Sequence, residues 1–211
     1  MQVIDGIFYV AVLIMSVVAH EYAHGYVAYK KGDNTANSLG RLTLNPLKHL
    51  DPVGSVIVPL FLVLSGAGFV IGWAKPVPYD PRNLKGKKDE ARVAIAGVVV
   101  NLCIALFFGL ILRFLPILNP EFILSAEQGG GLFKILIIII ITNINLAVFN
   151  LIPIPPLDGS KVLFSFLPHS LRYVQNFLEQ YGFFVLIFFI FFLWKYVAPV
   201  VSIVFSLITG M

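Results

Sequence analysis

Charge is what this chain lacks most. Asp, Glu, Lys and Arg make up 12% of its 211 residues, against about 25% in soluble domains. By contrast 58% of the residues are hydrophobic, and the mean hydropathy is +0.89. A soluble core of this size cannot hide so much apolar surface, so a lipid bilayer must solvate part of it. Cysteine is nearly missing too. The single Cys103, set in an apolar run, excludes an internal disulfide, a thiolate zinc cluster and a Cys-x-x-Cys redox pair. It reads as a small core residue rather than a nucleophile. No Gly/Ser linker, repeat or low-complexity tail divides the chain, which therefore reads as one membrane domain over residues 1–211. No basic stretch precedes the first apolar run, which is also too long for a signal peptide, so it is expected to be mature structure. The net charge of +4 does not imply nucleic acid. The basic residues gather in loops between apolar runs, where orientation signals belong, and no nucleic-acid-binding module is present.

What is there is a series of apolar runs. The first covers residues 3–29 and ends at Lys30-Lys31-Gly32-Asp33. The second, 53–72, contains Pro59, Gly66 and Gly68. The third, 91–115, is stopped by Pro116, and the fourth, 132–151, ends in a cluster of Pro153, Pro155 and Pro156. A fifth begins near Tyr181, holds Lys195 and has Pro199 beyond it; it is either one long tilted helix or a helix followed by a shorter segment. Loop 30–51 carries Lys30, Lys31, Arg41 and Lys48, and loop 73–92 carries six more basic residues, so the positive-inside rule places both in the cytoplasm. The run 53–72 between them then has to enter and return, as a re-entrant hairpin. Segments 38–44 and 69–78 read as short extended pieces at the membrane surface. The expected fold is an all-α polytopic membrane protein: about four transmembrane helices, a re-entrant segment and a small membrane-surface β element.

The chemistry sits in the first run, at His20-Glu21-Tyr22-Ala23-His24. On a helix, residues i and i+4 stand one above the other, so two imidazoles can approach one metal ion. Glu21 can face a metal-bound water without binding the metal, as in the H-E-x-x-H arrangement of zinc proteases. An ionisable residue in an apolar helix costs about 2.5–3.5 kcal/mol on insertion scales, and here three lie within five positions. The bland reading, histidines satisfying each other or nearby carbonyls, leaves that set without a purpose. A third ligand has to come from another segment. Away from the surface loops and termini, the acidic residues reduce to Asp158, in Asn150-Leu-Ile-Pro-Ile-Pro-Pro-Leu-Asp-Gly-Ser160. Its prolines prevent a regular helix, and irregular backbone at membrane depth is tolerated where it lines a protein-enclosed cavity. Asp158 is therefore either the third ligand or the N-cap of a helix beginning Gly-Ser-Lys.

His20-Glu21-Tyr22-Ala23-His24 taken with Asn150, Pro153 and Pro156-Leu157-Asp158-Gly159 resembles the site-2 protease family of intramembrane metalloproteases. Gly40-Arg41-Leu-Thr-Leu-Asn-Pro46, His49-Leu-Asp-Pro52, Gly72-Trp-Ala-Lys-Pro-Val-Pro78 and Ala96-Gly97 with Asn101 look like its small prokaryotic branch. The resemblance covers most of residues 10–170. One departure is Val98, where the family pattern has Pro. There is no room for the PDZ or CBS domains that some relatives carry. The resemblance implies a single intramembrane metalloprotease domain with zinc held by His20, His24 and Asp158 and Glu21 as general base. It also implies that Asn150 holds substrate backbone or the developing oxyanion, against which stands a plain helix-end amide. It further implies a small surface sheet that takes substrate as an added strand, for which 69–78 is the candidate.

The expected partners are a transmembrane protein or peptide substrate and the lipid bilayer, and the expected place is the cell membrane, with the site opening towards the cytoplasm. A rival reading is a metal transporter or sensor using the same ligands, but Glu21 has no role in it. Elsewhere, His49 and His169 read as solvated loop residues. Asn101, Asn143 and Asn145 read as interhelical hydrogen-bonding groups, with Asn101 placed to brace the site. Trp73 and Trp194 suit interfacial belts, and Tyr22 suits packing.

Overall fold

The computed structural model describes residues 3–65, 75–118 and 130–211. Helix α1 (Val3–Lys30) contains no proline and ends where Gly32 takes a left-handed φ of 107°, a conformation that a side chain would oppose. A π-type stretch (Pro52–Ile57) leads into α2 (Val58–Leu64). Then follow α3 (Lys87–Leu118), α4 (Gly131–Asn150), the short α5 (Asp158–Phe166), α6 (Arg172–Phe188) and α7 (Trp194–Thr209). A π-type turn, Phe189–Leu193, joins α6 to α7.

Among the described residues four stretches are long and apolar enough to cross a membrane: Phe8–Lys30, Lys88–Leu118, Gly131–Asn150 and His169–Thr209. The chain is thus a multi-pass, helical membrane protein. Of the run 53–72 expected to be re-entrant, residues 53–64 are helical and 66–72 lies outside the described residues. No strand occurs among the described residues. Residues 38–44 form the end of a four-residue helical turn and irregular backbone, and 75–80 is irregular.

Two prolines behave differently from their sequence reading. Pro116 lies inside α3, which runs two residues further, and Pro199 lies inside α7 rather than beyond it. Membrane helices tolerate such residues because neighbours can satisfy the freed backbone groups. The fifth run resolves as one continuous path from Arg172 to Thr209 through the π-type turn. At 1.5 Å per residue its path is about 57 Å long, well beyond the roughly 30 Å hydrocarbon core that a single upright span needs to cross.

α3 is the central helix and packs against α1, α4, α5 and α7. The apolar core between α3, α4 and α7 is built on Ala105, Leu112, Leu136, Ile140, Ile144, Val148 and Val201. Water exclusion does not drive such contacts in lipid, so close approach of backbones matters instead. Gly109 allows it, because a Cβ there would run into Ile208 of α7. Cys103, expected in the core, is exposed on α3, and Phe107, Phe114, Phe184 and Phe191 also face outward.

One polar hub fixes the end of α1 to the chain that follows 75. The fully buried Asp33 accepts hydrogen bonds from Thr35 N, Thr35 Oγ1, Asn83 Nδ2 and Asp80 N. Burial pushes its carboxyl up, but these four donors outweigh burial and hold it below the usual carboxylate range. With the folded pKa depressed, the hub's contribution is present above the unfolded value of about 3.9 and is lost as pH falls through the folded value. Asp33→Asn places an amide donor among donors and should cost on the order of 1–3 kcal/mol. Melting of the detergent-solubilised proteins should show that gap at pH 7 and show it shrinking below about pH 4.

Candidate metal centre

His20 and His24 lie one turn apart on α1, both buried. Taking 1.5 Å per residue, they sit about 9–15 Å before the helix end at Lys30, within the length of a membrane-spanning segment. α3 runs antiparallel to α1 and presents Val93, Gly97 and Asn101 at four-residue spacing. His24 Nδ1 donates to the Val93 carbonyl at 2.7 Å. His20 Nδ1 donates to Asn101 Oδ1 at 2.5 Å. Asn101 in turn donates to Asn143 Oδ1 of α4 at 2.8 Å, and Asn143 donates to Ser16 Oγ back on α1 at 2.9 Å. Asn101 and Asn143 are fully buried. This buried chain ties three helices together and sets the orientation of one imidazole.

Gly97 completes the fit. A Cβ at this position would lie 2.6 Å from both Cε1 and Nε2 of His20, so only glycine leaves room for the ring. Gly97→Ala should push His20 off its Asn101 partner. By analogy with other losses of groups that orient a metal ligand, zinc should bind about 10–100-fold more weakly. Competition with a chelator on purified protein measures this directly.

Asp158 opens α5 and is buried. Leu157, not Asp158, occupies the N-cap, with no side-chain capping bond, so the capping alternative is not the one adopted. Asp158 Oδ2 instead lies 3.0 Å from His20 Nε2 and 3.1 Å from His24 Nε2. One potential ligand atom from each of His20, His24 and Asp158 lies within 4.8 Å of the other two, so the group could hold a metal ion. Gly159 lets α5 start this close, since a Cβ there would collide with the Leu151 and Ile152 carbonyls.

The donor chemistry tests whether a cation fits. Both Nδ1 atoms face oxygen acceptors, a carbonyl and an amide Oδ1, so each carries a proton, and in the neutral tautomer each Nε2 is a lone-pair acceptor. Asp158 Oδ2 is an acceptor as well. In that tautomer three acceptors converge with no hydrogen among them, an arrangement that a divalent cation satisfies. Imidazole and carboxylate ligands suit zinc.

A cavity of about 190 Å³ opens beside these atoms, lined by His20, Glu21, His24, Val77, Tyr79, Asn150, Asp158 and Lys161 among others. Glu21 is adjacent but is not one of the converging groups. Its Oε2 accepts the Val77 N–H at 2.8 Å. Residues 75–80 form a strap across this side of the cavity, held also by Arg41 on the Lys75 and Pro76 carbonyls and by Asp33 on Asp80 N. Val77 packs onto Gly25, where a Cβ would meet Val77 Cγ1 at 2.7 Å. Pro76 and Pro78 have no N–H and that of Val77 is taken. Residues 76–78 therefore have no free N–H to offer an added strand, and residues 69–74 of that candidate segment lie outside the described residues. Asn150 lies on the cavity wall, its Nδ2 donating to the Leu146 carbonyl one turn back.

Other singled-out residues divide. His49 is fully buried, not solvated, and its Nε2 donates to the Thr43 carbonyl at 2.7 Å; the loop folds over it. His169 is exposed as expected. Asn145 bonds to the Ile141 carbonyl of its own helix rather than across helices. Tyr22 stacks on Tyr26, and Trp194 packs edge-on to Phe149. Sequence reasoning assigns no such part to Gly97, Val77, Lys161 or the Ser16 link.

Comparison with known proteins agrees with this geometry. The profile of peptidase family M50 matches residues 8–193. A Bacillus subtilis (strain 168) protein named "Putative zinc metalloprotease YwhC" is 41% identical over 179 residues, covering 84% of this chain and 77% of its own length. "Putative zinc metalloprotease Rip2" of Mycolicibacterium smegmatis is 29% identical over 188 residues, covering 86% of this chain and 66% of its own. "Putative zinc metalloprotease MJ0611" of Methanocaldococcus jannaschii is 30% identical over 164 residues, 74% of this chain and 72% of its own. No solved structure matches the chain.

Proposed function

The chain belongs to peptidase family M50 and is a zinc metalloprotease of the membrane, and from that premise we propose that it hydrolyses peptide bonds within or beside the transmembrane segments of other membrane proteins. The observation that carries this reading is the position of the converging acceptors: two of the three lie inside a membrane-spanning helix, about two turns or more from its end. A substrate bond has to come to that depth to be cut.

In this reading His20 Nε2, His24 Nε2 and Asp158 Oδ2 hold the zinc. Zinc in such a site supplies Lewis acidity, bringing the pKa of water towards about 7 and polarising a peptide carbonyl. Glu21 is the general base: it takes a proton from the attacking water and passes it to the leaving amine nitrogen. The Val77 N–H occupies Oε2 of Glu21 and leaves Oε1 for the water. Asn150 spends one amide hydrogen on the Leu146 carbonyl and keeps the other for a substrate carbonyl or the developing oxyanion. Substrate has to unwind locally, because a helical peptide bond is shielded by its own hydrogen bonding. The basic loops flanking the site end of α1 support an opening towards the cytoplasm.

The test is cleavage of transmembrane peptides by the purified protein in proteoliposomes, with cut positions read by mass spectrometry. Expected are cuts within or next to the apolar stretch, abolished by a zinc chelator and restored by zinc. Cuts confined to soluble loops remote from the bilayer would overturn the intramembrane reading. Zinc flux into the vesicles without any cleavage would favour a transporter.

A further inference from the structure

Lys161 is a cation lining this cavity that the mechanism above does not use. It stands one turn after Asp158 on α5, and its Nζ lies 3.5 Å from Asp158 Oδ1, the carboxylate oxygen that does not face the histidines. On its other side the ammonium sits over the Tyr79 ring, 5.4 Å from the centroid. Tyr79 belongs to the strap, which Asp33 and Glu21 anchor on either side. The ammonium is thus held between a fixed ring and one defined oxygen. A side chain with four rotatable bonds would otherwise leave for water.

We propose that Lys161 is a positioning residue for the metal site: it holds Asp158 Oδ1, so that Asp158 turns Oδ2 alone towards His20 and His24 and binds zinc through one oxygen. The inference rests on the zinc-site reading above. A carboxylate is free to rotate about its Cβ–Cγ bond and to offer both oxygens to a metal. A cation on Oδ1 opposes that rotation and also offsets the cost of a carboxylate in a poorly solvated cavity. Each histidine has a partner of its own on the ring nitrogen that faces away from the site, Asn101 for His20 and the Val93 carbonyl for His24. Lys161 fills the corresponding place for the third ligand. Partners of metal ligands typically contribute 10–100-fold in metal affinity.

The experiment is zinc affinity by chelator competition on monodisperse wild type, Lys161→Met and Lys161→Arg, with peptide cleavage measured separately at saturating zinc. Lys161→Met keeps the length of the stem and removes the charge. It should bind zinc about 10–100-fold more weakly yet regain most of the wild-type kcat once zinc saturates. Lys161→Arg should stay near wild type in affinity. Should Lys161→Met not yield folded protein, Tyr79→Leu removes the ring under the ammonium and should lower affinity in the same direction by a smaller factor. Wild-type affinity in Lys161→Met or, in its stead, Tyr79→Leu would overturn the inference. So would equal losses in Met and Arg, which would mean packing alone. A fall in kcat at saturating zinc with affinity unchanged would place Lys161 on the substrate and also overturn it. Absence of zinc from wild type would instead bring down the metal-site reading itself.

Discussion

Glu21→Gln should lower peptide cleavage by about 10²–10⁴-fold, the usual contribution of a general base, while zinc content stays at the wild-type level. The substitution is close to isosteric, and the amide oxygen of Gln can still accept the Val77 N–H that Glu21 Oε2 accepts at 2.8 Å. The strap over the cavity therefore keeps its anchor. The converging acceptor atoms belong to His20, His24 and Asp158, so the metal site loses nothing. What disappears is the ability to take a proton from water, because an amide is not basic near neutral pH. Single-turnover cleavage of a transmembrane peptide, with metal analysis of the same sample, separates the possibilities. Cleavage within tenfold of wild type would remove Glu21 from the role of base. Loss of zinc would make it a ligand.

Much of this site is legible in the amino-acid sequence, because its key parts obey local rules. His20 and His24 are one turn apart on a helix whose apolar run predicts its own existence. Asp158 stands out because, away from the surface loops and termini, the acidic residues reduce to it, and the structure brings it to the two histidines. The four spans are legible for the same reason, since long apolar runs have few alternatives. What is not legible depends on how helices face each other. Gly97 and Asn101 are four apart on α3, a spacing visible in the sequence, but only the antiparallel register of α1 and α3 places one against the His20 ring and the other on its Nδ1. Asn143 bonds across helices to Asn101 and Ser16, as an amide in an apolar run predicts, whereas Asn145, two residues on, points to its own helix. His49 misleads because loops are solvated as a rule, whereas this one folds over the ring. The strap has no periodicity to read, and its meaning comes from three anchors far apart in sequence: Glu21, Asp33 and Arg41.

Replacing Asp158 gives the second large effect, and the choice of substituent makes it informative. With both imidazoles neutral and their hydrogens on Nδ1, His20 Nε2, His24 Nε2 and Asp158 Oδ2 present only lone pairs to one another across 3.0 and 3.1 Å. That arrangement is unfavourable until a cation, or a proton taken up from solvent, reconciles it. Zinc binding should therefore act as folding energy. At a concentration 100 times Kd it contributes about 2.7 kcal/mol, a rise in Tm of roughly 5–11 °C for a domain of this size. Asp158→Asn changes the sign of the problem. An amide nitrogen in the place of Oδ2 has two hydrogens, one for each Nε2, so the metal-free pocket becomes satisfied as it stands. The variant should lose zinc affinity by more than the roughly 100-fold typical of losing a ligand's partner, and its Tm should not respond to zinc. Its metal-free Tm should nevertheless exceed that of metal-free wild type. Asp158→Ala should lose zinc equally but gain no such stability, because it supplies no donor. Zinc retained in both variants would mean a third ligand elsewhere. Zinc lost in both, with metal-free Asp158→Asn no more stable than metal-free wild type, would mean that an imidazole carries an extra proton and that the acceptor-only account of the metal-free pocket is wrong.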